Sequence, residues 1–578
     1  MINANGIRVL EIDLNKQKIK AHNRKDLLAY LGGVGVATKL LDEYIMPEKD
    51  ALDGDQPIVF AIGPMETIFP VVTKVVAMFR SPLTGELGES YAGLRLGLAM
   101  RFTGYDAIVV KGKATKPTYL VITADGVEFK NAEPLWGLTV EETGRILRRR
   151  ETGSGLRSCI RIGRAGEKLI SFAGVNVDTY RHFGRLGLGA VFGSKNLKAM
   201  VVKGEEGLAI TDKKEYQRVY KEIYQRVVET EVMDKYHGLG TAVNVLPLNA
   251  MNGLPTKNMQ AGSFAGAEEI SGEAFAKHSL VRKLACSGCP IGCIHIAQVR
   301  RQFGDHYEYY TTPISYDHEL VFALGSFLGI DNRDELLELI EKTELYGLDS
   351  ISTGVLLGWL TEAFEKQLVR EEMIGCRPAF GNASVYKEII DRLVAMDSDF
   401  YRDLARGTWY AAAKYGGCDF AMCLGGHEMA GYHTGHAFIF GQAVGARHSH
   451  LDNAGYSIDQ KLQGWDPEQV VDKIINEEIE RNILNSLVIC LFARNVYDRR
   501  TVVSALRAIG LDWNEESLGE LGKKVFRLKR DLKEKLGYRL ENIYFPQRYF
   551  ETKSFTGFVE EAKIKQLMDI YKSRYYTV

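Results

Sequence analysis

The sequence of 578 residues has few cysteines, few prolines and no long apolar run. Eight cysteines in so long a chain are a poor disulfide framework and a better set of metal-binding or redox thiols. The longest mostly apolar stretch, residues 320–330, is far shorter than the roughly 20 residues that span a bilayer. The N-terminal sequence lacks the apolar centre of a signal peptide. We therefore expect a cytoplasmic protein.

The formal net charge of −1 shows no excess of either sign, which argues against nucleic acid or a membrane surface as a partner. The length predicts two to four domains. Val- and Ile-rich, glycine-bounded runs in the first two hundred residues predict strands, with one helix near residues 26–44. From about residue 211 the apolar residues recur at helical spacing. The predicted fold class is α+β: a β-rich domain, 1–208, followed by two mostly α-helical domains, 209–420 and 421–578.

Three of the eight cysteines lie together in KLACSGCPIGCIH, residues 283–295. The spacing of Cys286, Cys289 and Cys293 places three thiols on one loop, as an iron–sulfur cluster or a zinc ion requires. The missing second pair of close ligands favours iron–sulfur over zinc, and unliganded thiols are a third possibility. Two residues are candidates for the fourth ligand: His295, and Cys490 in the apolar segment NSLVICLFARN, where a core cysteine is the alternative interpretation.

Several long motifs give the chain a resemblance to the aldehyde:ferredoxin oxidoreductase family of tungsten enzymes. They are SPLTGE (81–86), FTGYDAIVVKGKA (102–114), RIGRAGEKLISFAG (161–174), GRLGLGAVFGSKNLKAM (184–200), GTAVNV (240–245) and CSGCPIGC (286–293). The resemblance implies a [4Fe–4S] cluster held by Cys286, Cys289, Cys293 and a cysteine about two hundred residues later. Cys490 follows Cys293 by 197 positions and matches that cysteine.

The resemblance also implies a tungsten (or molybdenum) atom held by two pyranopterins, with Mg²⁺ bridging the pterin phosphates. On its own the segment GRLGLGAVFGSK would more often form a strand–turn–strand than an anion site. The family resemblance instead implies that its backbone N–H groups bind phosphate. The residues that we expect to bind this cofactor are Lys74, Gly93, Arg181, Gly184, Arg185, Glu344, Leu348, Asp349, Asn485 and Ile489.

This sequence departs from the family at three places. The family's repeated pterin motif is D-x-x-G-L-[CD]. Its first copy, which ends at Asp349, reads ELYGLD, with glutamate in place of the first aspartate. Its second copy, which ends at Cys490, reads NSLVIC, with asparagine in place of the aspartate and valine in place of the glycine. The usual bridging arginine is Lys74, for which a solvated lysine on a strand edge is the alternative. A Glu-x-x-His metal site that some members carry at a dimer contact would fall on Glu338 and Glu341, without the histidine. We expect that site to be absent.

The resemblance places the reacting residues in two segments. Glu319 matches the family's active-site glutamate, and a carboxyl group is suited to proton transfer beside a redox centre. Its alternative role is a capping or surface residue. In the histidine-rich segment 425–460, His450 is the best match to the family's substrate-pocket histidine and His448 lies close behind. An independent metal site or a purely structural role are the alternatives there.

We expect an air-sensitive oxidoreductase that converts an aldehyde to a carboxylic acid and passes electrons to ferredoxin or an iron–sulfur subunit. The small-molecule substrate is expected to bind beneath Glu319 and His450, and the chain to form a homodimer or a hetero-oligomer. A fourth departure from the family lies in segment 425–460, where YHTG at residues 432–435 stands in place of the usual Tyr-Asp-Pro-Arg-Gly. This change leaves a low-potential reductase of the same family open, acting for example on an aryl-CoA thioester. A zinc-stabilised scaffold without activity is the rival from a different class.

Overall fold

The computed structural model describes residues 6–153, 156–207, 210, 212–231 and 233–578. The chain groups into two compact units. The first contains Met1–Met233, Ala285–Ile291 and Glu478–Tyr538, and the second contains Asp234–Leu284, Gly292–Glu477 and Arg539–Val578. The predicted boundary between residues 208 and 209 lies outside the described residues. The loop with Cys286 and Cys289 thus belongs with the N-terminal part of the chain, as does the segment around Cys490.

Two six-stranded sheets dominate the described part of the first unit. The first sheet has the order β2-β1-β6-β3-β4-β5 and the second β11-β10-β9-β12-β7-β8. The strands of the first sheet are β1 Ile7–Asp13, β2 Lys18–Arg24, β3 Ile58–Ala61, β4 Val75–Arg80, β5 Leu87–Ala92 and β6 Ala107–Lys111. Those of the second are β7 Thr118–Thr123, β8 Gly126–Asn131, β9 Arg157–Arg161, β10 Val175–Val177, β11 Arg181–Phe183 and β12 Leu197–Lys203.

Both sheets contribute to one apolar core. Phe60 of the first sheet contacts Phe183 of the second edge to face, at 5.6 Å between ring centroids, and Phe192 at 6.2 Å. All three rings are at most 1% exposed. The helices that cover and connect the sheets are Gly33–Tyr44, Leu96–Thr103, Val140–Arg150, Arg164–Glu167, Leu188–Ser194, Lys213–Val228, Arg499–Ala508 and Glu515–Lys535.

The second unit is mostly helical, as the sequence predicts for this part of the chain. Its helices are Val245–Ala250, Gly272–His278, His318–Leu324, Arg333–Tyr346, Ser350–Glu365, Glu371–Ile374, Ala383–Ala395, Asp399–Leu404, Thr408–Tyr415, His436–Val444, His450–Asn453, Gly455–Lys461, Arg548–Glu551 and Glu561–Tyr575. Its strands are β13 Leu280–Leu284, β14 Ile294–Gly304, β15 Glu308–Tyr316, β16 Cys423–Leu424 and β17 His427–Glu428. The helix Pro467–Ser486 contains the boundary between the units.

The predicted α+β class, with a β-rich first part and a mostly helical remainder, is confirmed. One local difference concerns the helix predicted near residues 26–44. The chain forms a 3-10 turn at Asp26–Tyr30 and an α-helix only from Gly33. Between them, Leu31 has a φ of +64°, which ends the first turn. A Cβ atom on Gly33 would lie 2.3 Å from the carbonyl oxygen of Asn485, so the start of the α-helix requires glycine.

Candidate active site and cluster loop

The two units divide the predicted site residues between them. The first unit holds Cys286, Cys289, Cys490, Lys74, Gly93, Arg181, Gly184, Arg185, Asn485 and Ile489. The second holds Cys293, Glu319, Glu344, Leu348, Asp349, His448 and His450.

Val71 holds the cysteine loop and the distant Cys490 segment together in the first unit. Its N–H donates to the carbonyl oxygen of Gly288 at 3.2 Å, and its own carbonyl accepts from the N–H of Cys490 at 3.1 Å. Gly288 directly precedes Cys289. The backbone of Val71 is therefore hydrogen-bonded both to Cys490 and to the residue next to Cys289. An isolated bridge between Val72 and Ile489 continues this pairing. Cys293 is four positions after Cys289 in sequence and belongs to the second unit.

The thiol of Cys286 lies in a crowded, positively charged environment. A Cβ atom on Gly93 would lie 2.6 Å from its Sγ and 3.1 Å from Lys74 Nζ, so this backbone approach also requires glycine. Burial raises the pKa of the Cys286 thiol, but Lys74 and Arg181 outweigh burial and the net pKa is lowered. A thiolate is the form that binds metal. Lys74 is half-buried beside Cys286 and does not lie on a solvated strand edge.

Glu66 is a residue of this region that the sequence did not single out. It is 1% exposed, and its Oε2 has no hydrogen-bond partner among the described residues. Burial raises its pKa well above the ordinary value, although Arg101 and Lys74 act in the opposite direction. Burial thus favours the protonated form of this carboxyl group. Its position in GPMET, on a loop between strands, carries no pattern that would have identified it.

The glycine-rich segment predicted to cradle phosphate forms a strand, a turn and a short helix. Strand β11 leads through Gly184 and Arg185 to the helix Leu188–Ser194, and Gly187 has a φ of +87° at its start. A Cβ atom on Gly184 would meet only the Cβ of His182 at 3.9 Å, so the backbone there is open to close approach. Arg181 and Arg185 flank this glycine, and both are half-buried.

The two copies of the altered pterin motif have the same backbone structure. In the first copy the N–H of Leu348 donates to Thr343 at 2.9 Å, and in the second the N–H of Ile489 donates to Leu484 at 3.0 Å. In both copies the donor follows the acceptor by five positions, and the hydrogen bond closes the turn at the end of a helix. The residue directly before the donor has a positive φ. That residue is Gly347 in the first copy, at +75°, and Val488 in the second, at +55°. A β-branched residue such as Val488 is strained in this conformation. The second copy thus retains the turn of the motif although valine replaces its glycine.

Glu319 and His450 come together in the second unit, although 131 positions separate them. Glu319 Oε1 lies 3.5 Å from His450 Nε2, and Glu319 Oε2 accepts from the N–H of Gly431 at 2.9 Å. Their side chains are 19% and 9% exposed. Each residue lies in the first turn of a capped helix. Glu319 is the second residue of the helix His318–Leu324, and Asp317 accepts from its N–H. His450 is the first residue of its helix, and Ser449 and Asp452 form a capping box there. The pair is suited to hold or pass one proton.

Aromatic rings surround this pair. The ring of Tyr432 lies 5.3 Å from that of His450 and 4.9 Å from those of Tyr456 and His318. Burial raises the pKa of the Tyr432 phenol well above its ordinary value, and Glu319 raises it further. Burial also lowers the pKa of His318 to about 4, so the neutral ring donates from Nε2 to the carbonyl of Gly431 at 2.9 Å. Tyr432 is thus a permanent hydrogen-bond donor that sequence reasoning did not assign to the site.

His448 makes different contacts from His450. Its Nδ1 lies 2.8 Å from the carbonyl of Ala443, and its own carbonyl oxygen lies 3.1 Å from His427 Nδ1. A Cβ atom on Gly425 would lie 2.3 Å from its Nε2, so the ring packs closely on that glycine. These contacts with backbone fix the ring of His448 two residues before His450 in the chain.

Basic side chains neutralise Glu338 and Glu341, the positions of the family's additional metal site. Arg301 donates from Nε to Glu338 at 3.2 Å and also pairs with Glu341, while Lys387 Nζ donates to Glu338 at 2.5 Å. Across the described residues, no three Cys, His, Asp or Glu side chains converge on one point as a single metal ion would require. Each helix of the described chain is also too short or too polar to cross a bilayer.

Comparison with known proteins covers almost the whole chain. Residues 9–204 match the family described as aldehyde ferredoxin oxidoreductase, N-terminal domain, and residues 218–578 match aldehyde ferredoxin oxidoreductase, domains 2 and 3. A tungsten-containing aldehyde ferredoxin oxidoreductase of Pyrococcus furiosus is 33% identical over 573 residues, which is 94% of this chain and 91% of the relative. An aliphatic sulfonate oxidoreductase, WOR-like subunit, of the same organism is 27% identical over 91% of this chain and 85% of the relative.

A solved structure supports the same fold at lower sequence identity. The active site complex of benzoyl coenzyme A reductase with 1,5-dienoyl-CoA superimposes with a TM-score of 0.82. The superposition covers 98% of this chain and 94% of the other, at 20% identity. At this identity the likeness concerns the fold alone.

Proposed function

The chain belongs to the aldehyde ferredoxin oxidoreductase family of oxidoreductases, and on this premise we propose that it oxidises an aldehyde to a carboxylic acid with a tungsten (or molybdenum) pterin cofactor. We propose a [4Fe–4S] cluster as the second cofactor, and ferredoxin or an iron–sulfur subunit as the electron acceptor. The single observation that carries the proposed reaction is the 3.5 Å approach of Glu319 to His450 in a buried, aromatic surrounding.

The thiols of the first unit fit a metal cluster. Cys286 is shifted toward the thiolate by Lys74 and Arg181 although burial opposes this, which a purely structural cysteine would not need. Val71 joins the loop of Cys289 to Cys490 through two backbone hydrogen bonds. We propose that Cys286, Cys289, Cys293 and Cys490 bind the four irons, and that Lys74 donates a hydrogen bond to the cluster or to the pterin.

The residues around Gly184 fit the anionic part of a pterin cofactor. Two half-buried arginines, Arg181 and Arg185, flank a glycine whose backbone is open to close approach. We propose that they bind the pterin phosphates, with Mg²⁺ as a counterion, and that Glu344, Asp349 and Asn485 contact the pterin rings. When bound, the tungsten pterin would supply the two-electron redox chemistry of aldehyde oxidation.

Two side chains of the second unit, Glu319 and His450, would accept and transfer a proton during the reaction. Oxidation of an aldehyde to a carboxylic acid takes its oxygen atom from water, releases two protons and passes two electrons to the acceptor. Glu319 is placed to accept one proton from the attacking water, and His450, 3.5 Å away, to take it on from there. The phenol of Tyr432 would donate a hydrogen bond to the substrate carbonyl oxygen, because its raised pKa keeps it protonated.

The substrate assay separates this reaction from the family's reductive chemistry. The protein would be produced in cells supplied with tungstate, purified without air and mixed with aliphatic or aromatic aldehydes and oxidised benzyl viologen. We expect one carboxylate for every two viologens reduced, because each aldehyde releases two electrons. A fully metallated protein that leaves every aldehyde unchanged, but oxidises reduced viologen when given an aryl-CoA thioester, would contradict the proposal and identify a reductase.

A further inference from the structure

The helix Lys213–Val228 of the first unit carries tyrosines and lysines in neighbouring rows. Residues three or four positions apart share one side of a helix. We call the two rows together the tyrosine–lysine face: Tyr216, Tyr220 and Tyr224 in the first row, and Lys214 and Lys221 in the second. Both lysines are exposed, and Tyr224 is 41% exposed. The face therefore presents aromatic and basic groups to solvent.

The tyrosine row begins beside the backbone that joins the cysteine segments. The ring of Tyr216 lies 5.5 Å from the ring of Phe69, and its hydroxyl donates to the carbonyl oxygen of Ile68 at 2.8 Å. Two residues after Phe69 comes Val71, which is hydrogen-bonded to both cysteine segments of the first unit. The tyrosine–lysine face is thus attached to the loop that holds the proposed cluster ligands together.

The cysteine loop approaches the surface near this row. Tyr497 donates from its hydroxyl to the carbonyl oxygen of Pro70 at 2.5 Å. Burial raises the pKa of Tyr497 well above its ordinary value, and Tyr220 and Cys289 raise it further, because both lie close to this phenol. Cys289 is half-buried and Gly288, directly before it, is exposed. An electron carrier bound at the tyrosine–lysine face would therefore lie near Cys289.

The charges of the helix are unevenly distributed around it. Glu215 and Glu222 lie in a third row, and Arg218 of the same row pairs with them at 2.7 and 3.2 Å. The lysine row lies between this row and the tyrosines, so the tyrosine–lysine face is locally positive. The whole chain has a formal net charge of −1 and does not attract an acidic protein by its total charge. A locally positive face supplies that attraction.

We propose that the tyrosine–lysine face is the docking site of a small acidic iron–sulfur protein that accepts the electrons. The lysines would attract its carboxylates, and Tyr224, which stacks on Tyr220 at 6.3 Å, would supply an aromatic contact of the kind found in protein interfaces. This docking site rests on the proposed function, in which Cys289 and Cys490 bind the cluster. Each oxidised carrier takes up one electron, so the two electrons released by one aldehyde require two encounters.

The double variant Lys214→Glu, Lys221→Glu tests the docking site. The probe is a purified acidic ferredoxin, and the enzyme is full-length holoenzyme prepared without air. We expect the Kd for ferredoxin to rise by about tenfold or more and to depend less on salt, because two attractive charges become repulsive. The ratio of kcat/KM with ferredoxin to kcat/KM with benzyl viologen should fall by a similar factor, because viologen is a small cation that needs no protein interface.

The double variant Lys18→Glu, Lys20→Glu is the matched control. It makes the same change of net charge at two exposed positions of strand β2, and it should retain the wild-type Kd for ferredoxin. Equal losses in the two double variants, or no loss in Lys214→Glu, Lys221→Glu, would overturn the docking site, as would a wild type that does not bind ferredoxin. If no aldehyde were oxidised but binding still required Lys214 and Lys221, the proposed reaction would fail and the docking site would stand.

Discussion

Replacing Glu319 by glutamine is expected to lower kcat for aldehyde oxidation by about 100-fold or more. Glutamine can still accept the hydrogen bond from the N–H of Gly431, so the fold of the segment should persist. It cannot accept a proton at neutral pH, and general-base catalysis is typically worth about 100- to 10,000-fold. The measurement is steady-state turnover with an aldehyde and viologen, together with the tungsten and iron content of the same preparation.

The lower kcat of Glu319→Gln must come from slower catalysis and not from a lower cofactor content. Tungsten and iron in Glu319→Gln should equal those in wild type, because Glu319 is not among the predicted cofactor ligands. Glu335→Gln, which changes an exposed glutamate in the first turn of the helix Arg333–Tyr346, is the matched control and should retain full activity. Wild-type kcat in Glu319→Gln would remove this residue from the catalytic role.

Replacing Cys490 by serine is expected to remove about one of the four irons, or the whole cluster, and to abolish electron transfer to an external acceptor. A serine oxygen is a poorer ligand for iron than a thiolate, and a [4Fe–4S] cluster is normally held by four cysteines. The backbone bond from Cys490 to Val71 does not involve the side chain, so the serine variant should fold. Iron analysis and the EPR spectrum of the reduced protein measure the effect.

Cys376→Ser is the control for general effects of removing a thiol. Cys376 is half-buried in the second unit and lies outside the cluster loop. Its serine variant should keep the iron content and the EPR spectrum of wild type. If Cys490→Ser also kept both, Cys490 would not be a ligand, and this half-buried thiol would have a structural role only.

The sequence predicted the sheets well, because their signal is local. IRVLEIDL, PIVFAIG and YDAIVVKGKA are short Val- and Ile-rich runs, and the structure places them as β1, β3 and β6. The long amphipathic helices Arg333–Tyr346 and Glu515–Lys535 were equally clear from their periodicity. The antiparallel sheet β13-β14-β15 next to the cysteine loop was not predicted. Its strands lie in a mostly helical region, and their pairing depends on contacts distant in sequence.

The grouping of segments could not be predicted from local patterns. Residues 285–291 and 478–538 join the first unit although helices of the second unit separate them. Backbone hydrogen bonds among Val71, Gly288 and Cys490 connect these segments. Such bonds do not depend on the type of side chain, so the sequence does not reveal them. Family resemblance indicated the distant partner of the cysteine loop where spacing alone left several candidates.

The candidate site was predicted in its ionisable residues but not in their surroundings. Glu319 and His450 came from motif matches, and the structure brings them within 3.5 Å. Tyr432 and Glu66 were missed, because a buried acid or phenol acquires its role only from neighbours that the tertiary structure supplies. Val488 shows the reverse case: its residue type departs from the family motif, yet its backbone retains the turn.

The decisive measurement is the metal and pterin content of protein purified without air. We expect about four irons and about one tungsten (or molybdenum) per chain, with pterin released on denaturation. Zinc as the only metal, or a protein without pterin from cells supplied with tungstate, would contradict this expectation.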